Sequence, residues 1–179
     1  MPSITRPVAP DPYALLPAVP VFTLRSDDVA DGDPLPDVHT NTPAGANVSP
    51  HLAWSGFPPE TQGFAVTCFD PDAPGPAGWF HWTLLDVQVT TTTLPRGAGT
   101  VDGDALPAGS FQLKGDDGVA AYVGSAPPPG DQVHRYYFVV HALDTAGMGL
   151  GPDAMPGAAS CALVFHTLAR AVLVATYQR

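Results

Sequence analysis

The chain has 179 residues, of which 45% are hydrophobic, so it is long enough to bury the core of one domain. Its 22 prolines and 18 glycines are too many for a helical bundle, and they separate apolar runs without forming a long polar tract. Seventeen acidic residues against seven basic ones give a formal net charge of −10, which disfavours nucleic acid and anionic membrane surfaces as partners.

The first 20 residues carry six prolines and no clear periodicity, so we expect an extended N-terminal segment at residues 1–20 and a single domain at residues 21–179. No export signal is visible, and no apolar run approaches the ~20 residues that cross a bilayer. We therefore expect a cytoplasmic protein without membrane insertion. For Cys68 and Cys161, two buried free thiols are favoured, and a disulfide stays open as the alternative.

The apolar runs predict strands, beginning with a short one at residues 21–24. The segment at 47–61 predicts a rigid turn before the next strand. Three later runs are apolar on both faces, which is typical of central strands covered on two sides, and one further run is weaker. Long loops rich in proline and glycine, with no alternating helices, favour an antiparallel β-sandwich. The central runs lie at 64–70, 81–89 and 136–143, and the weaker one lies at 111–113.

The C-terminal run at residues 158–176 contains neither glycine nor proline, and its apolar residues recur at spacings of three and four. This spacing predicts one helix packed against the sandwich. The predicted fold class is thus mainly β, an antiparallel sandwich with a C-terminal α-helix and long Pro/Gly-rich loops.

The stretch DPDAPGPAGWFHW at residues 70–82 joins two predicted strands. Its prolines remove amide donors, so the chain must leave the sheet with Asp70 and Asp72 at the edge. His81 then opens the returning strand, next to Trp79. The carboxylates and the imidazole are therefore expected to meet at one end of the sandwich.

A second stretch, YVGSAPPPGDQVHRYYF at residues 122–138, ends in a similar arrangement. Gly124 permits close backbone approach, the prolines from Pro127 onward hold a stiff rim, and His134 opens another strand. Each feature also has a simpler interpretation, because Asp-Pro-Asp is often only a turn and a lone histidine at a strand start is often structural. Because the carboxylates and both histidines flank strands that can end at the same rim, their combination favours a binding site there.

These stretches resemble the phosphatidylethanolamine-binding protein family, in particular its bacterial branch described as Raf kinase inhibitor-like. The resemblance runs through SPHLAW, FAVTCFDPDAP, GWFHW, YVGSAPPPG and HRYYFVVHALD, and nearly the whole chain beyond residue 20 takes part. It implies a sandwich with a small pocket at one end that accepts phosphate, phosphorylated head groups or similar anions. The residues that the resemblance places in this pocket are Asp70, Asp72, Trp79, His81, Gly124, Pro127, Pro128, His134 and Tyr136.

An anion can sit beside carboxylates if the histidines are protonated or donate N–H groups and if backbone amides of the Gly124 loop point inward. We expect the aspartates to raise the pKa values of both histidines, with Asp70 as a candidate orienter of His81. The leading hypothesis is a binding and regulatory protein for a phosphate-bearing small molecule or lipid head group. A protein kinase or protease as partner stays open, as does a homodimer.

An enzyme that uses His81, His134 and Asp70 for acid–base chemistry is the alternative. It is disfavoured because the sequence contains no Gly-x-Ser-x-Gly, P-loop or His-Glu-x-x-His motif. A divalent metal held by the two aspartates and two histidines is a third hypothesis. We expect no cofactor and no metal.

Overall fold

The computed structural model describes residues 4–101 and 105–179, and their strands form two antiparallel sheets. The larger sheet has the order β6-β4-β3-β7-β8, and the smaller has the order β1-β2-β5. The strands are β1 (Thr23–Arg25), β2 (Leu52–Ser55), β3 (Gly63–Asp70), β4 (Trp79–Gln88), β5 (Thr93–Leu94), β6 (Phe111–Gln112), β7 (His134–Leu143) and β8 (Thr167–Tyr177), with a short 3-10 helix at Asp37–His39 and α1 at Pro156–His166.

The main core lies where the two sheets face each other. Trp54 and Leu94 of the smaller sheet pack with Phe64, Trp82 and Phe138 of the larger one, and all five side chains are almost fully buried. This confirms the mainly β, antiparallel class and the central strands expected from their apolar runs. The segment expected as a rigid turn at 47–61 in fact contains β2. Its four residues are too few to show a clear alternation of apolar and polar side chains in the sequence.

A second, smaller core forms beneath α1. Ala159 and Leu163 of the helix pack with Ala65, Leu85 and Leu143 of the large sheet. These strand residues alternate with those that face the main core, so the sheet is covered on both sides, as the doubly apolar runs indicated.

The prediction of one helix over residues 158–176 is wrong. Only α1 is helical, and the chain then continues as β8, which pairs with β7 from Thr167↔Leu143 to Tyr177↔His134. Along β8 buried apolar residues recur at every second position, namely Ala169, Ala171, Leu173 and Ala175, and all of these except Ala171 belong to the main core. Small and β-branched residues at these positions are compatible with both the helical period of 3.6 residues and the strand period of two. The segment forms a strand because it pairs with the free edge of β7.

The two cysteines differ in their surroundings. Both thiols are free, and Cys68 is buried in the main core, where burial raises its pKa well above the ordinary value. Cys161 is exposed on α1, so the expectation that both thiols are buried is wrong for this residue. The helix buries only the face that carries Ala159 and Leu163, and Cys161 lies outside that face.

Candidate functional site

A cavity of about 260 Å³ opens at the end of the large sheet where β3 ends and β4 and β7 begin. It lies between the Asp-Pro-Asp turn and the proline-rich loop before β7, the two stretches singled out in the sequence. The lining residues are Asn41, Asp70, Ala73, Pro74, Trp79, His81, Asp117, Val123, Gly124, Ala126, Pro127, Pro128, His134 and Tyr136.

Asp70 is the last residue of β3, and its two carboxylate oxygens have separate partners. Oδ1 accepts the backbone N–H of Asp72 at 2.8 Å, which holds the turn after the strand. Oδ2 lies 2.7 Å from Nδ1 of His134, the first residue of β7. The carboxylate therefore joins the end of one strand to the start of its neighbour.

His134 is held between two carboxylates. Its Nδ1 faces Asp70, and its Nε2 lies 3.0 Å from Oδ2 of Asp131. Burial opposes charge on the ring, but the hydrogen bonds to the two aspartates outweigh it, and the pKa of His134 is raised. Because carboxylates only accept hydrogen bonds, these contacts have the ring donating one N–H group to Asp70 and the other to Asp131. The ring of Tyr136 stacks on it with 6.5 Å between centroids, and Nη2 of Arg6 lies 3.4 Å from Nε2.

His81 has different surroundings because it lies in a β-bulge. Cys68 pairs with Trp82 and Phe69 pairs with Phe80, so His81 has no partner residue on β3. Such an extra residue re-aims its side chain. Nδ1 lies 2.7 Å from the carbonyl oxygen of Val123, and since a carbonyl only accepts, Nδ1 carries the proton.

Within residues 4–101 and 105–179, Nε2 of His81 has no close partner, and the nearest carboxylate oxygen there, Oδ2 of Asp70, lies 4.0 Å away. Burial lowers the pKa of His81, and the bond to Val123 and the charge of Asp70 only partly offset this effect. The expectation that the aspartates raise both histidine pKa values is therefore right for His134 and wrong for His81. Asp70 orients His134, and the Val123 carbonyl orients His81.

Asp72 is not among the residues that line the cavity. Its carboxylate, which is fully buried, forms a two-point ion pair with Arg135, whose Nε lies 2.7 Å from Oδ2 and whose second guanidinium nitrogen lies 2.9 Å from Oδ1. His134 and Arg135 are consecutive residues of β7, so their side chains leave opposite faces of the strand. Of the two aspartates expected at the pocket, only Asp70 reaches it.

Gly124 lines the cavity but does not offer its amide. The N–H donates to the side-chain oxygen of Asn47 at 2.7 Å, so the expectation of an inward-pointing amide at this residue is wrong. A Cβ at position 124 would overlap the carbonyl oxygen of His39. Glycine is required here for close packing of two loops.

The remaining expected residues all line the cavity. Pro127 and Pro128 form the rim, Trp79 is partly exposed at the mouth, and Tyr136 is buried at the base. Burial and the charge of Asp70 raise the pKa of Tyr136, so its hydroxyl keeps the proton throughout the accessible pH range and remains a hydrogen-bond donor.

Sequence reasoning missed several members of the site. Asp131 precedes His134 by three residues, and this spacing at a strand start was an available signal. Asn41 and Asp117 come from distant loops and carried no signal. The apolar lining residues that were missed are Ala73, Pro74, Val123 and Ala126.

Comparison with known proteins identifies the family. The sequence model of the family described as phosphatidylethanolamine-binding protein matches residues 25–178. The chain belongs to this family. The crystal structure of Escherichia coli YbcL, described as a new member of the mammalian family, superimposes with a TM-score of 0.85 at 37% identity and covers 88% of this chain and 98% of its own.

Two further relatives are similar over most of the chain. The UPF0098 protein YbhB of Escherichia coli is 41% identical over 157 residues, which span 86% of this chain and 98% of YbhB. The putative lipoprotein LppC of Mycobacterium tuberculosis is 32% identical over 177 residues, covering 99% of this chain and 82% of LppC.

Two further features are absent from the part of the chain that the structure describes. Among residues 4–101 and 105–179, no three or more His, Cys, Asp or Glu side chains are grouped so as to hold a metal ion. Within the same residues, no helix is long and apolar enough to span a membrane. The expected cytoplasmic location stays a prediction.

Proposed function

We propose that this protein binds a small phosphate-bearing molecule or phosphorylated head group in the cavity at the end of its large sheet. The observation that carries the proposal is the contrast between the two histidines. Both nitrogens of His134 are engaged by Asp70 and Asp131, whereas none of the described residues lies within hydrogen-bond distance of Nε2 of His81. His81 is thus the imidazole that is free to meet a ligand.

The charges around the cavity leave a place for an anion. The protonated ring of His134 offsets the charge of Asp70, the closest to His81 of the carboxylates that the structure describes, while Asp117 adds a negative charge to the lining. Side chains with N–H or O–H donors also line the cavity, namely those of Asn41, Trp79 and Tyr136. A phosphate oxygen at Nε2 of His81 would meet donors on more than one side.

Binding of a dianion is expected to take up a proton. Because burial lowers the pKa of His81, its ring is neutral at pH 7 in the free protein, with the proton on Nδ1. A phosphate monoester loses its second proton near pH ~6, so at pH 7 it arrives mostly as a dianion. Without a further proton, the lone pair on Nε2 of His81 would repel a lone pair on the phosphate oxygen. One proton taken up from solvent and shared between these two atoms replaces the repulsion with a charge-assisted hydrogen bond.

The size of the cavity favours a head group over a whole lipid. Its volume of about 260 Å³ falls just below the ~300–1,000 Å³ typical of pockets that bury drug-sized ligands. Prolines and alanines at the rim offer apolar contact to a short carbon chain next to the phosphate. Two acyl chains would have to remain outside the cavity.

Acid–base catalysis at the same site has less support. None of the described residues that line the cavity is a serine, cysteine or lysine, so a covalent mechanism lacks those nucleophiles there. His134 cannot accept a proton from a substrate while it donates to two carboxylates. Modulation of a kinase or protease, and a homodimer, stay predictions from the family resemblance.

Calorimetric titration at pH 7 with inorganic phosphate and with phosphoethanolamine tests the proposal. Titrations in two buffers of different ionisation enthalpy should show uptake of about one proton per bound phosphate. His81→Asn keeps an N–H near the position of Nδ1 and removes Nε2, so it should weaken binding about tenfold or more and abolish proton uptake. His166→Gln, at a half-exposed histidine paired with Asp144, is the matched control and should bind like the wild type. Equal binding by His81→Asn and the wild type would contradict the proposal.

A further inference from the structure

The N-terminal segment lies against the same end of the large sheet as the cavity. We define residues 4–16 as the N-terminal strap. Its middle is tied to the turn after β3, since Nη2 of Arg135 donates to the carbonyl oxygen of Ala9 at 2.6 Å and the Ala9 N–H donates to Oδ1 of Asp72 at 3.2 Å. Farther along, the ring of Tyr13 packs on Tyr137 with 5.8 Å between centroids. The strap is therefore held at several points.

Arg6 brings the strap to the histidine network. Its guanidinium donates to both carboxylate oxygens of Asp131 at 2.9 Å and also donates to the backbone carbonyl oxygen of Asp72. Nη2 of Arg6 lies 3.4 Å from Nε2 of His134. The Asp131 side chain is only 3% exposed, so its charge is poorly screened by water and needs compensation within the protein.

A count of charges shows what Arg6 contributes. Asp70, Asp131 and protonated His134 form a network with one net negative charge, beside which the Asp117 carboxylate also lines the cavity. Arg6 adds one positive charge and brings this network to neutrality. The overall charge of the chain is −10, so an anion already approaches an unfavourable field, and one uncompensated carboxylate next to the site would add to it.

We propose that Arg6 is a specificity-determining residue of the anion site, acting through Asp131: the strap supplies the second cation that lets a cavity built on two aspartates accept a phosphate group. The inference rests on the proposed function and adds to it a component that lies outside residues 25–178, the part matched by the family. A guanidinium suits this role because it holds both oxygens of Asp131 at once and keeps its charge at every accessible pH.

The first test measures phosphate affinity. In the full chain, Arg6→Gln should weaken binding of inorganic phosphate at pH 7 about five- to tenfold, as expected for loss of one partly screened charge near the site. Arg6→Lys keeps the charge and loses the two-point geometry, so it should recover part of that loss. Arg25→Gln is the matched control, because Arg25 is exposed on β1 and its substitution changes the net charge equally. It should bind within about twofold of the wild type.

The second test follows the His134 ring by NMR, which a merely structural role of Arg6 would not affect. The charged and titratable groups that face this ring are Asp70 from β3, Asp131 from the preceding loop, Arg6 from the strap, and Tyr136 from β7, with His81 of β4 beyond Asp70. Removal of the Arg6 cation should raise the pKa of His134 further in Arg6→Gln, and Arg25→Gln should leave it unchanged.

The outcomes separate the two proposals. Phosphate binding with equal affinity by the wild type and Arg6→Gln would overturn the role of Arg6 and leave the proposed function standing. An unchanged His134 titration in Arg6→Gln would overturn the docking of Arg6 on the network in solution. Failure of the wild type to bind any phosphate compound would overturn the proposed function and this inference together.

Discussion

Oδ2 of Asp70 lies 2.7 Å from Nδ1 of His134 but 4.0 Å from Nε2 of His81. The Asp70 carboxylate thus forms a hydrogen bond with only one of the two histidines, although each histidine lies near the start of a strand that adjoins β3. The difference determines which ring is charged. The carboxylate partners of His134 raise its pKa and stabilise the protonated ring. Burial lowers the pKa of His81, whose ring remains neutral and open to a ligand.

Asp70→Asn should lower the pKa of His134, because the amide cannot supply the negative charge that stabilises the imidazolium. The pKa of His81 should change less, since its distance to the carboxylate is longer. NMR titration of both rings measures the two effects. Asp144→Asn, beside half-exposed His166, is the control and should leave His134 unchanged. A larger change at His81 than at His134 would contradict the assignment.

Arg135→Gln should destabilise the protein by about 2 to 4 kcal/mol, because it leaves the fully buried carboxylate of Asp72 without its partner. Phosphate affinity should fall by no more than it does in Arg6→Gln, since Asp72 does not line the cavity and Arg135 reaches the site only through its bond to Ala9 of the N-terminal strap. Chemical denaturation and calorimetry measure the two quantities, and Arg25→Gln is the control for stability. Loss of phosphate binding in a folded Arg135→Gln variant would show that Asp72 belongs to the site after all.

Neighbouring residues of β8 should differ sharply in their response to truncation. Leu173 is buried in the main core and Val172 is exposed on the other face, so Leu173→Ala should cost about 2 to 5 kcal/mol and Val172→Ala less than about 1 kcal/mol. Equilibrium denaturation in urea measures both. Similar costs at the two positions would be inconsistent with the strand.

His141 should make the fold sensitive to acid. Burial, with a smaller contribution from the charge of Arg170, lowers its pKa to about 3. Between pH 6.5 and 3 the unfolded chain therefore binds one more proton at this residue than the folded chain, and stability falls as the pH falls through that window. His141→Gln should reduce the slope of unfolding free energy against pH by about 1.4 kcal/mol per unit.

The measurement for His141 is urea denaturation at several pH values between 6 and 4. Val172→Ala is the control, because it removes no titratable group and should leave the slope unchanged. The absolute stability of His141→Gln is not the quantity of interest, since the substitution also alters packing. An unchanged slope would show that His141 becomes protonated within the fold.

Much of the fold followed from local patterns. The central strands β3, β4 and β7 are long and apolar on both faces, and no other element accommodates such runs between proline-rich loops. The short strands β2 and β5 were missed because they have four and two residues and no measurable period. The C-terminal half of the expected helix became β8, because small and β-branched residues are compatible with either period and the free edge of β7 was available.

The sequence by itself determined that two polar stretches, each with a histidine at the start of a strong strand, would meet at one end of a β-rich domain. Only the tertiary structure decided their pairing: Asp70 with His134, Asp72 with Arg135, and Arg6 with Asp131. The physical reason is that strand periodicity is a local property, whereas these ion pairs depend on a bulge, on turn geometry and on contacts across as many as 125 residues. The Asp70 carboxylate lies 2.7 Å from the charged ring of His134 and 4.0 Å from the neutral ring of His81, and this difference in distance is set by the whole fold.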